Sequence, residues 1–197
     1  MSAGAPSGLV AAMAEAYRRP RAAMARLLAG GITEARALVL LFIACALGFV
    51  ASVPEAILRA RAIEIADPLA GVVAAHFFAY LFIAPLLAYG LAALAHLAAR
   101  GFGARGGFFG ARVALFWSAL LGAPLALAVA ALRAVAGDLA APVGLAAFFY
   151  WLWLFVAGFA EAEGFSATWR VGAVTGVALA LLAISLSLLT RGASIAG

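Results

Sequence analysis

Five stretches of this chain contain no Asp, Glu, Lys or Arg, and each is about as long as a bilayer is thick: residues 37–54, 68–99, 113–132, 139–160 and 171–190. An α-helix rises ~1.5 Å per residue, so ~20 apolar residues cross a ~30 Å hydrocarbon layer. The pattern predicts an all-α fold, a polytopic bundle of five transmembrane helices. The segment 1–32 precedes it as an amphipathic, interfacial piece, the transmembrane domain covers 33–192, and 193–197 form a short tail.

Composition excludes a soluble alternative. Hydrophobic residues make up 68% and charged ones 11% of the chain, against ~25% charged in an average soluble domain. The net charge of +5 would suggest nucleic acid in a soluble protein. Here the arginines sit beside apolar spans, where topology and anionic headgroups account for them, and no nucleic-acid partner is expected. Every basic side chain is Arg, with no Lys, Asn or Gln anywhere, a bias that points to GC-rich bacterial coding. The one cysteine, Cys45, lies inside the first span, where it has no disulfide partner and reads as packing.

Arginine counts set the expected orientation. They run five before the first span, then two, three, one, one and one through the loops and tail. Placing the N-terminus and the second and fourth loops in the cytoplasm puts nine inside and four outside. The protein is then expected in a bacterial cytoplasmic membrane, with its C-terminus periplasmic.

The segment before the first span is not read as a cleaved signal, because its apolar run starts only at Ala37. At 100° per residue, Leu9, Met13, Ala16, Tyr17, Pro20, Met24, Leu27 and Leu28 share one sector, opposite Glu15, Arg18, Arg19 and Arg26. The expectation is a headgroup-level anchor with its apolar face in lipid. Pro20 opens a second short helix, Gly30 and Gly31 break the chain, and Thr33 caps the first span. Arg18, Arg19, Arg21 and Arg26, with Arg105 and Arg112 of the second cytoplasmic loop, are the candidate contacts to anionic headgroups.

The second uncharged stretch is too long for a straight rod across the bilayer, and Pro85 near its middle is expected to kink it. His76 and His96 lie twenty residues apart on it, roughly 30 Å along a helix, so they share no metal and read as structural. The following loop, GFGARGGFFGAR at 101–112, lacks the fingerprint of a phosphate-binding loop and reads as a tight reversal between antiparallel helices.

These features resemble one family. The run 81–125, with Pro85, the glycine-rich turn and RVALFW at 112–117 reaching Pro124, is similar to bacterial members of the Ypt/Rab-interacting, or Yip-domain, membrane proteins. GITEAR at 31–36 and EGFS at 163–166, followed by Trp169 and Arg170, resemble that branch too. The resemblance implies five transmembrane helices and a cytoplasmic N-terminus. The vesicle-trafficking role of eukaryotic members does not carry over, because the long N-terminal domain and the Asp-Leu-Tyr-Gly-Pro motif find no match here.

Catalytic patterns are missing from the sequence. No uncharged span contains a full charge of the kind that marks a proton relay, no metal-ligand spacing occurs, and no pair of carboxylates stands near a histidine. No enzyme and no cofactor is therefore expected. Glu161 and Glu163 read as a solvated helix end neutralised by Arg170. Together with Trp151 and Trp153, in the middle of the aromatic fourth span, they are the candidate partner contacts. Three function classes follow: a non-enzymatic protein that organises membrane or recruits partners, an accessory subunit of a larger bioenergetic membrane complex, and a small transporter or channel.

Overall fold

The computed structural model describes residues 8–62, 68–166 and 172. Within them the chain is helical: α1 (Leu9–Arg18), α2 (Pro20–Ala29), α3 (Glu34–Ala62), α4 (68–101), α5 (Phe108–Val135) and α6 (Gly137–Ala162). Four of these, α3 to α6, are long and apolar enough to cross a membrane. The fifth apolar stretch, 171–190, lies outside the described residues, as do Arg170 and the tail.

Local chemistry explains the boundaries. Pro20 is the first residue of α2, where its missing N–H costs nothing. Gly31 takes φ 66° in the turn that follows, and the Thr33 hydroxyl accepts the Arg36 N–H at the start of α3. α3 runs through Pro54 to Ala62, eight residues past the predicted end of the first span. α4 is an unbroken rod that widens into π-type turns at Pro68–Val72 and Ala79–Ile83. The second widened turn ends just before Pro85, which has no N–H to return to the preceding turn. The expected proline disturbance is thus absorbed as a wide turn.

α5 is the centre of the bundle. Half of its most apolar window is buried, against 11% in α4, and it packs most extensively on α3 and α6. Small side chains such as Ala111 and Ala114 allow close approach, with Phe116, Leu120 and Leu121 filling the rest. Gly122 forms a notch for Trp151, whose indole carbon would lie 2.7 Å from any added Cβ.

One expectation is corrected here. The apolar face of the N-terminal segment does not lie in lipid. Ala16 and Met24 are 0% and 1% exposed, and Pro20 and Ala23 are buried, because α2 packs on α6 and α1 touches α5. Lipid and protein interior favour the same side chains, so amphipathicity could not tell which of them covers this face.

Candidate functional site

Among the described residues, the ion pairs that join the helices of the bundle gather at its two ends. At one end the Arg21–Glu161 and Arg112–Glu34 ion pairs, and a hydrogen bond from Arg105 to Glu163, join the N-terminal helices, the 102–107 turn and the end of α6. At the other end Arg133 of α5 pairs with Glu55 of α3. The grouping of loops predicted from arginine counts is therefore the grouping observed, without reference to which side faces the cytoplasm.

The centre of the first end is a buried acid. α6 terminates in a glycine cap: Gly164 has φ 72°, and Phe165 N–H donates to Ala160 O at 2.8 Å. This reversal turns Glu163 inward, beneath the α4–α5 turn. The backbone N–H groups of Arg105 and Gly106 both donate to the Glu163 carbonyl, at 2.9 and 3.2 Å. That approach requires Gly106, since a Cβ there would lie 2.3 Å from Ala162 O and 2.7 Å from Glu163 Cα. The carboxylate then meets His96 of α4, with Oε1 2.7 Å from Nδ1 and the two side chains 0% and 2% exposed. Phe108 covers the imidazole, with ring centres 4.2 Å apart. The other oxygen, Oε2, has no hydrogen-bond partner among the described residues.

Two further polar clusters brace this centre. Arg21 of α2 donates Nε to Glu161 at 3.0 Å, and its two terminal nitrogens to the carbonyls of Phe165 and Ser166 at 2.8 and 3.2 Å. These carbonyls lie beyond the end of α6, where helical partners are no longer available. Tyr17 donates to Leu121 O at 2.6 Å, and Tyr150 donates back to Tyr17 O at 2.7 Å. Burial, with Tyr150 adding to it, pushes the Tyr17 hydroxyl pKa up, so the phenol stays a donor. On the other flank Glu34 accepts from Arg112 at 3.1 Å and from Tyr89 at 2.9 Å. The Arg112 guanidinium lies over the Tyr89 and Phe109 rings at 5.6 and 5.8 Å.

These contacts sort the predicted site residues. Arg21, Arg26 and Arg112 are held by Glu161, Glu15 and Glu34, whereas Arg18, Arg19 and Arg105 are exposed. Trp151 donates its indole N–H to Ser118 O at 2.8 Å, while Trp153 is exposed and stacks on Tyr150. Glu161 is a partly solvated helix end as expected, with Arg21 as its partner; Arg170 lies outside the described residues. Glu163 differs from expectation: it is not a solvated helix end but a buried acid against His96. His76, at the far end, bonds its Nδ1 to Val72 O at 3.0 Å. Among the described residues no three His, Cys, Asp or Glu side chains gather as a metal site would require.

The Arg21 brace gives a first expected result. Arg21→Gln should loosen α1 and α2 from α6, costing about 1 kcal/mol because the ion pair is partly exposed. Limited trypsin digestion after the exposed Arg18 should then speed up, and unchanged cleavage would show that the apolar face alone holds the segment.

A model of the Yip1 domain matches residues 14–189, nearly the whole chain. The protein belongs to the Yip1-domain family. No curated protein and no solved structure matches it. Within this Yip1-domain chain, the RVALFW run that carried the resemblance opens the central helix: Arg112 clamps Glu34, and Val113, Ala114, Phe116 and Trp117 are buried. The GITEAR run supplies that Glu34, and the EGFS run supplies the buried Glu163 and its glycine cap.

Proposed function

We propose that this Yip1-domain protein is a non-enzymatic component of a bacterial cytoplasmic membrane that organises membrane or recruits partners. Its Arg-rich end would face the cytoplasm and its C-terminus the periplasm. The observation that carries this reading is the fixed N-terminal platform. Met24, Tyr17 and Arg21 lock α1 and α2 onto the bundle, while Arg18 and Arg19, like Arg105 of the turn, stay exposed. A cationic surface on a rigid base suits anionic headgroups or an acidic protein segment. Glu161 and the exposed Trp153 are its candidate partner contacts, whereas Trp151 and Glu163 serve from inside by holding the platform's supports.

A second reading, an accessory subunit of a larger membrane complex, is favoured by the exposed aromatic face of α6. Tyr150 and Trp153 stack there at 5.7 Å with Phe149 also uncovered. One experiment separates the two. Tagged protein purified in mild detergent should retain a partner that Arg18→Glu with Arg19→Glu releases. Retention that instead depends on Trp153→Ala would favour the subunit reading. In a Cys45→Ala background, a membrane-impermeant maleimide should label a Val135→Cys variant on intact cells and a Phe102→Cys variant only after permeabilisation. The reverse labelling would overturn the orientation.

A further inference from the structure

The end of the molecule away from the N-terminal platform holds a groove that the family reading leaves unused. It has a volume of about 540 Å³ and lies between α3, α5 and α6, with Tyr80 of α4 at its side. That volume falls within the ~300–1,000 Å³ of small-molecule sites. Its walls are small residues such as Gly48, Ala51, Ala126 and Gly144. Along α3 it extends from Ala44 to Glu55, eleven residues on, or roughly 16 Å of helix. That length is about half the ~30 Å hydrocarbon layer, the depth of one leaflet.

The mouth of the groove is charged. Glu55 accepts from both Arg59 and Arg133, so two guanidiniums share one carboxylate and one positive charge remains. Asp138 lies on the same end, in the first turn of α6, outside the ion pairs found among the described residues. A second hollow of about 420 Å³ also borders Ser52 and Glu55 and is lined by Arg59 and His76, giving room outside the apolar part. An apolar cleft within the hydrocarbon layer does not hold water well, because water there finds few polar partners. One leaflet of apolar depth under a mouth lined by two arginines and one carboxylate complements one kind of molecule.

We propose that this groove seats a single anionic phospholipid, with an acyl chain against the small-residue wall and the phosphate between Arg59 and Arg133. Basic pockets between transmembrane helices bind acidic headgroups by the same chemistry. Cys45, the chain's single thiol, lines the deep end and reports occupancy.

The test uses the full-length protein, delipidated in detergent and titrated with phosphatidylglycerol, phosphatidylcholine or free glycerol 3-phosphate. Native mass spectrometry should show one retained phosphatidylglycerol, favoured over phosphatidylcholine by about fivefold, the effect expected of one arginine at a membrane surface. Arg133→Gln should remove that preference, and Glu55→Gln should strengthen it. Ala126→Phe should lower retention of both lipids. Phosphatidylglycerol should also slow alkylation of Cys45 by N-ethylmaleimide in the unmodified protein, while glycerol phosphate should not.

Equal retention of the two lipids, or an unchanged preference in Arg133→Gln, overturns the proposal. Protection by glycerol phosphate alone would make this a free-anion site and overturn it too. If water or the chain's own residues 171–190 fill the groove, added lipid will leave Cys45 alkylation unchanged, with the same consequence. That last measurement needs no variant, so misfolding of Ala126→Phe does not leave the question open.

Discussion

Replacing Gly106 with alanine is expected to be among the most damaging single-methyl additions in the chain, costing about 3 kcal/mol. The added Cβ would meet backbone, Ala162 O at 2.3 Å and Glu163 Cα at 2.7 Å, and backbone cannot swing aside as a long side chain can. Overpacking alone costs ~1–3 kcal/mol. Moving the turn to relieve it would also stretch the two N–H bonds to Glu163 O, each worth about 1 kcal/mol. For a chain of this size that predicts a fall in Tm of roughly 6–12 °C. Gly103→Ala, three residues earlier, is the comparison. Gly103 has φ 87° but open space around it, so only the backbone cost of about 1 kcal/mol applies. Thermal unfolding in detergent, followed by tryptophan fluorescence, checks both. Equal losses would mean that conformation, not the close approach to Glu163, explains the glycines of this turn.

The contrast between those glycines shows what the sequence could and could not convey. A glycine-rich run between two apolar stretches announces a tight turn, and Gly103 supplies it with a positive φ. Gly106 serves a contact with Glu163, far along the chain, and local sequence has no signal for that. The four described spans were legible for a similar reason: absence of charge over ~20 residues has one physical meaning. Pro20, Gly31 and Thr33 were legible because capping and breaking act within a few residues.

Surroundings supplied by other elements were not legible. The apolar sector through Ala16, Tyr17 and Met24 was visible, yet its cover turned out to be α5 and α6. Glu161 and Glu163 looked alike on paper, two acids at a helix end. The glycine cap at Gly164 sends one outward to Arg21 and the other inward to His96. His96 and Glu163 are 67 positions apart, and only the meeting of the α4–α5 turn with the end of α6 makes them neighbours. An acid followed by glycine at the end of an apolar helix, opposite a loop with paired glycines, was the one faint sign available.

The same meeting makes His96 and Glu163 a test of how this end is held together. Removing one member should be severe and removing both mild. His96→Leu leaves a carboxylate that is 0% exposed with neither oxygen partnered by a side chain among the described residues, since Oε2 already has no hydrogen bond there. Breaking a buried pair in this way costs ~3–5 kcal/mol, mostly from the stranded charge. Glu163→Met alone should cost less, because a neutral imidazole is cheaper to leave unpaired than a carboxylate. The double variant, His96→Leu with Glu163→Met, removes both polar groups and keeps the apolar contact with Phe108. Its loss should fall to within ~1–2 kcal/mol of the parent, as apolar replacements of buried ion pairs are often near neutral. The coupling from this double-mutant cycle, read by thermal unfolding and by trypsin access to Arg105, should therefore be large and favourable. Additive losses would mean that the two side chains act independently and that the Arg105 and Gly106 backbone bonds alone hold the turn to α6.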